Sequence, residues 1–66
     1  MIIKLNGTNI EVCKTTTLLG LVQEKGLLPE RIVVEHNMDI VPKEKLGNVL
    51  IENNDSIEIV SFVGGG

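Results

Sequence analysis

The sequence predicts one α+β domain, a mixed sheet of four or five strands packed on one main helix. Three observations carry that reading. Asn6-Gly7 separates two short alternating runs, as in a tight hairpin, because both residues tolerate the positive φ of a type I′ turn. Leu18, Leu21 and Val22 come next at helical spacing and are closed off by Gly26 and Pro29. Later segments return to a period of two and end in Ser56-Ile57-Glu58-Ile59-Val60-Ser61-Phe62. A strand pair, a helix and further strands, in that order, build a sheet covering one helix.

The first strand covers Met1 to Leu5, with Met1, Ile3 and Leu5 on one parity and Lys4 on the other. Its return runs from about Thr8 to Cys13, with Ile10 and Val12 inward and Glu11 and Cys13 outward. Thr15, Thr16 and Thr17 each offer a hydroxyl that can cap the first helical turn. The helix then spans Thr17 to Lys25, and Gly20 weakens it by roughly 1 kcal/mol relative to alanine unless close packing requires a glycine there. Arg31 to His36 form the next strand, Asn37-Met38-Asp39 a turn, and Ile40-Val41 a short extended piece. Pro42 to Leu46 make one helical or 3₁₀ turn started by the proline and broken by Gly47-Asn48. Val49-Leu50-Ile51 read as a short apolar strand, Glu52 to Asp55 as a tight turn, and Ser56 to Phe62 as the last strand. The first and last strands are expected to lie parallel in mid-sheet, because the chain crosses over through the helix and the later strands between them. Residues 1–63 thus form the domain and 64–66 a tail.

Sixty-six residues allow a single core, and chains this short bury only about 60% of their unfolded surface. Phe62 is the one aromatic residue, so that core must be built from Ile, Leu and Val. Net charge is −3, and the six basic residues are dispersed rather than set in a stripe that could bind phosphates. With no aromatic platform for stacking bases either, nucleic acid is a poor partner. A mildly acidic surface suits a basic docking patch on another protein. Cys13 has no second cysteine to pair with, which excludes a disulfide-stapled scaffold. Met1-Ile2-Ile3-Lys4 lacks the apolar core of a signal peptide and no run approaches a membrane span, so a cytoplasmic protein is expected.

Gly64, Gly65 and Gly66 add nothing to a core, since glycine has no side chain to bury. Chain ends are often loose for no functional reason. Here, however, the last strand reaches the glycines without a linker. A bare tail of this kind fits a narrow slot and carries the carboxylate of Gly66 into another protein's active site.

Two patches sharpen the reading. Val34-Glu35-His36-Asn37-Met38-Asp39-Ile40-Val41-Pro42-Lys43 is one; Asn53-Asn54-Asp55-Ser56-Ile57-Glu58-Ile59-Val60, leading to Val63-Gly64-Gly65-Gly66, is the other. With the Asn6-Gly7 hairpin, the length and the element order, they resemble the ubiquitin-like β-grasp superfamily and, within it, the ThiS family of sulfur carriers in thiamine biosynthesis. The resemblance spans the whole chain. Four positions depart from it: Met38 stands where a turn glycine is usual, Lys43 replaces arginine, Leu46 an aromatic, and Asn54 the glycine of the last turn. Asparagine tolerates the left-handed conformation, so that last turn can persist.

The resemblance implies a co-substrate rather than an enzyme, with no cofactor of its own. A carboxylate does not exchange oxygen for sulfur unaided; it must first become an acyl-adenylate, from which sulfide or a persulfide displaces AMP. The chain has no GxxxxGK[ST] phosphate loop and no metal-ligand cluster with which to do this. The implied partners are therefore a ThiF-type adenylating enzyme that uses ATP, a sulfur donor such as a cysteine desulfurase, and a thiazole synthase of the ThiG type as acceptor. Gly66 would carry the sulfur, with Gly64 and Gly65 threading it into the cleft.

A docking surface is expected as well. If Ile57 and Ile59 face the core, Val60 and Phe62 face outward beside Val33, and contiguous exposed apolar residues usually mark a partner site. Phe62 folding back over the sheet edge, as the core's one large residue, is the alternative. Cys13 is more often a packing residue than a nucleophile, and His36, with no second ligand at metal spacing, fits a half-covered strand end. Glu30, Glu35, Glu44, Glu52, Asp55 and Glu58 are too dispersed for a catalytic pair, and most should form a solvated face. Rival readings are a carrier for molybdopterin synthesis or tRNA thiolation, which resembles this chain in fold and tail, and a non-catalytic β-grasp interaction module. A stand-alone enzyme lacks any constellation of acid, base and nucleophile.

Overall fold

The computed structural model describes residues 1–62. Strands β1 (Ile2–Leu5), β2 (Thr8–Glu11), β3 (Ile32–His36), β4 (Asp39–Val41) and β5 (Ser56–Ser61) form one sheet in the order β2-β1-β5-β3-β4. β1 and β5 run parallel at its centre, and the other neighbours are antiparallel. The mid-sheet placement expected of the first and last strands is thus the observed one.

Local chemistry explains each join. Asn6 and Gly7 take φ of 50° and 83° between the paired Leu5 and Thr8, the two-residue hairpin turn that Asn-Gly favours. Helix α1 (Leu18–Glu24) starts at Thr17, the one of the three threonines that caps it, whose Oγ1 accepts the Gly20 N–H at 3.0 Å. At its end Gly26 takes φ of 72°, and the N–H groups of Gly26 and Leu27 donate to Gln23 and Val22 carbonyls at 3.0 and 3.1 Å. This paired closure satisfies two carbonyls that the last turn leaves open. Thr17 and Lys25, expected inside the helix, are its caps. Pro29–Arg31 add a 3₁₀ turn that leads into β3.

Two expectations need correction. The 3₁₀ segment runs Lys43–Asn48, so Gly47 and Asn48 continue it rather than break it. Leu46, buried at its middle and packed on α1 with the rest of the core, holds the segment together. Val49-Leu50-Ile51 is not a strand of the sheet. The Leu18 N–H donates to Val49 O at 3.0 Å and the Ile51 N–H to Thr16 O at 2.9 Å, leaving a single bridge between Thr17 and Leu50. Its backbone hydrogen bonds are spent on the segment entering α1, and the fifth strand of the sheet comes from Asp39–Val41 instead.

The core is aliphatic throughout. Ile3, Val12, Ile32, Val34, Ile57 and Ile59 from the sheet side pack with Leu18, Leu21 and Val22 of α1 and with Leu46 and Ile51. Each such side chain contributes about 1.5–3 kcal/mol when fully buried. Gly20 has no packing reason to be glycine: a Cβ there would lie 3.4 Å from Thr17 Oγ1, an ordinary contact.

Two polar clips fix β5. The Asn6 side chain accepts the Ile59 N–H at 2.8 Å and donates to Ile59 O at 3.2 Å, pairing with β5 as a further residue of β1 would. At the other end the buried carboxylate of Asp55 accepts from the Glu52 N–H at 2.8 Å, His36 Nε2 at 2.7 Å and Asn37 Nδ2 at 3.2 Å. Asn37 completes the link, its Oδ1 accepting the Ser56 N–H at 2.9 Å. Asp55 therefore ties the β3–β4 turn to the turn before β5. It does not join the solvated acidic face expected of the dispersed acids. Burial pushes its carboxyl up, but the Glu52 N–H, the His36 and Asn37 hydrogen bonds and the His36 charge bring it below the ordinary aspartate value.

Candidate functional site

The period of β5 sorts its side chains cleanly. Ile57 and Ile59 are buried, while Glu58, Val60 and Phe62 lie on the outer face, away from α1. Phe62, 48% exposed, does not fold back into the core, which is filled without it. Val60, 55% exposed, stands directly opposite Val33 on β3, and the Phe62 N–H donates to Arg31 O at 3.1 Å. Val33, Val60 and Phe62 are therefore neighbours on one exposed surface, at the end of the sheet from which the chain leaves toward residue 63.

The next row of the same face is different. Glu35 of β3 is opposite Glu58 of β5, and on its other side opposite the exposed Ile40 of β4. Among the described residues no basic side chain forms an ion pair with either glutamate; the one ion pair is His36–Asp55. Like charges directly opposite on a sheet are mildly destabilising. Along the chain these two acids are far apart, and the strand register that brings them together is a tertiary fact. Ile40 was also missed, although the two-residue Asn37-Met38 turn fixes its parity once the β3–β4 hairpin is recognised.

Other candidates are quickly placed. Cys13 is exposed and free, as strand parity had it, and is not a packing residue. His36 is half-buried, and its Nε2–H is committed to Asp55. Among the described residues there is no ligand-sized cavity and no group of three His, Cys, Asp or Glu that could hold a metal. Among the described residues no helix is long and apolar enough to cross a membrane. The expectations for Gly64, Gly65 and Gly66 lie outside the described residues.

A parallel β1–β5 pair at the centre of a mixed five-stranded sheet, with one helix on one face, defines a ubiquitin-like β-grasp domain. Its backbone superposes on the crystal structure of the thiamine biosynthesis protein (ThiS) from Geobacter metallireducens with a TM-score of 0.85 at 23% identity, covering 100% of both chains. The ThiS family model matches residues 3–66, and the chain belongs to that family. It is 38% identical over 65 residues to the sulfur carrier protein ThiS of Bacillus subtilis, covering 97% of this chain and 98% of that one. It is also 41% identical over 66 residues to a thiazole synthase of Magnetococcus marinus. The match takes in all of this chain but only 20% of that protein, so the chain spans about a fifth of that relative's length.

Proposed function

We propose that this protein is the sulfur carrier of thiazole formation in thiamine biosynthesis, acting through the carboxylate of Gly66. Family membership supports the reading, and one observation carries it: the central strand β5 ends at Ser61, and in the sequence Gly64-Gly65-Gly66 begins only three residues further on. A ThiF-type partner activates the tail. A Gly66 carboxylate oxygen attacks the α-phosphorus of ATP and expels pyrophosphate, giving the acyl-adenylate. Hydrosulfide then adds to the acyl carbon, and AMP leaves with that oxygen. The product is the thiocarboxylate –COS⁻, a soft nucleophile that passes its sulfur to the thiazole synthase. The sulfur comes from a donor such as a cysteine desulfurase, whose persulfide sulfur is released as hydrosulfide when two thiols give up their electrons and close to a disulfide.

The domain supplies the handle. Val33, Val60 and Phe62 form the apolar part of the docking face, and the unneutralised Glu35 and Glu58 beside them suit a basic surface on the adenylating enzyme. Gly64 and Gly65 thread the cleft. That a Magnetococcus marinus thiazole synthase contains a stretch like this whole chain supports thiazole synthase as the acceptor.

The test is mass spectrometry after incubation with an adenylating partner, ATP and sulfide. The expected product has one oxygen exchanged for sulfur on the C-terminal peptide. Deletion of Gly66, or its conversion to an amide, must abolish both this exchange and thiazole formation in a reconstituted pathway. Undiminished thiazole formation by either variant would overturn the proposal.

A further inference from the structure

The backbone of β5 is covered unequally on its two sides. Toward β3 the pairing is continuous from Asn37–Ser56, where the Asn37 N–H donates to Ser56 O at 2.7 Å, to Arg31–Phe62 at 3.1 Å. Residues 56, 58, 60 and 62 thus turn their N–H and C=O groups toward β3, and residues 57, 59 and 61 turn theirs toward β1. On the β1 side the cover stops early. The Asn6 N–H donates to Ile57 O at 2.9 Å, the Asn6 amide pairs with Ile59, and Gly7 then turns the chain away into β2. Ser61 is the next residue whose backbone points that way, and it is exposed, with no residue of β1 opposite it. A central strand has outrun its neighbour, and its open edge begins five residues before Gly66.

We infer that this open edge at Ser61 is a strand-addition site for an extended segment of the enzyme that activates the tail, an inference that rests on the carrier reading. Glycines offer a partner no side chains, so a tail of this composition is recognised through its backbone, and pairing along a free strand edge does that with main-chain hydrogen bonds. Soluble proteins usually blunt such an edge with lysine, proline or a bulge. Here Ser61 is small and uncharged, and Asn6 closes the ladder at Ile59 without covering Ser61. Five extended residues span at most about 18 Å. A partner that holds the terminal carboxylate is therefore already within reach of Ser61.

The decisive variant is Ser61→Pro. It removes an N–H that makes no bond to β3, and proline is tolerated on an edge whose N–H faces solvent. The fold should persist by circular dichroism, while adenylation measured as pyrophosphate release falls by about ten- to a hundredfold, as when a buried acceptor loses its donor. Ser61→Ala, which keeps the N–H, should react at the wild-type rate. An ester in place of the Val60–Ser61 amide, introduced by ligating a synthetic C-terminal segment, removes the N–H without a ring and should reproduce the loss. Wild-type rates for both the proline and the ester forms would overturn the inference while leaving the carrier reading intact. A wild-type chain that is never adenylated would instead sink the carrier reading itself.

Discussion

Replacing Asp55 by alanine should cost about 2–4 kcal/mol, because it strips one acceptor from three donors at once. The Glu52 N–H, His36 Nε2–H and Asn37 Nδ2 all converge on this buried carboxylate. Hydrogen bonds to a charged group are worth about 1.5–3 kcal/mol each. They do not sum here, since Asn37 is exposed and His36 partly so, and water replaces part of what they lose. A domain of this size has roughly 3–10 kcal/mol in total, so the loss is a large fraction of it. With a urea slope of about 1 kcal/mol per molar, the midpoint tracked by far-UV circular dichroism should fall by about 2–4 M at neutral pH. The linked pH dependence has a definite sign. The folded carboxyl titrates below its ordinary value of 3.8, so the unfolded chain binds more protons and stability rises with pH through that region. The contribution is present above the unfolded value and is lost as pH falls through the folded one. An Asp55→Asn variant should therefore be less stable than wild type at neutral pH, with the gap closing as pH falls below the ordinary value of 3.8 and through the folded one. A wild-type midpoint for the alanine variant, or an asparagine gap of constant size across that range, would refute the clip.

The same geometry sets three further outcomes. Gly20→Ala should stabilise the domain by up to about 1 kcal/mol in the same urea experiment, because the added methyl meets only an ordinary contact with Thr17 Oγ1. Met38 and Thr15 hold φ of 77° and 68°, so Met38→Gly or Thr15→Gly should raise the melting temperature through a gain of about 0.5–1 kcal/mol each. Val60→Asp should leave the fold intact, since Val60 is on the outer face, and slow adenylation by the partner at least about tenfold through loss of a desolvated apolar contact; a wild-type rate would remove the docking role from this face.

Much of the molecule is legible in one dimension. Asn6-Gly7 specifies its turn by local sterics alone, Thr17 and Gly26 bracket a helix by backbone hydrogen bonding, and the alternation of Ile57 and Ile59 with Glu58 and Val60 separates core from surface. These signals act over a few residues, so sequence carries them whole, and membership of the ThiS family is written in their order. The rest depends on which distant segments meet. Val49-Leu50-Ile51 has a strand's composition yet pairs with the approach to α1, where the Leu18 and Ile51 N–H groups make its backbone hydrogen bonds. Asp55 reads as one more surface acid until folding sets three donors around it, and Glu35 and Glu58 become a pair through a register no local pattern encodes. The sequence by itself determined the elements, the aliphatic core and the glycine terminus. Tertiary structure alone decided which polar groups lose their water and which backbone edge stays open, because both depend on what lies opposite a residue in space.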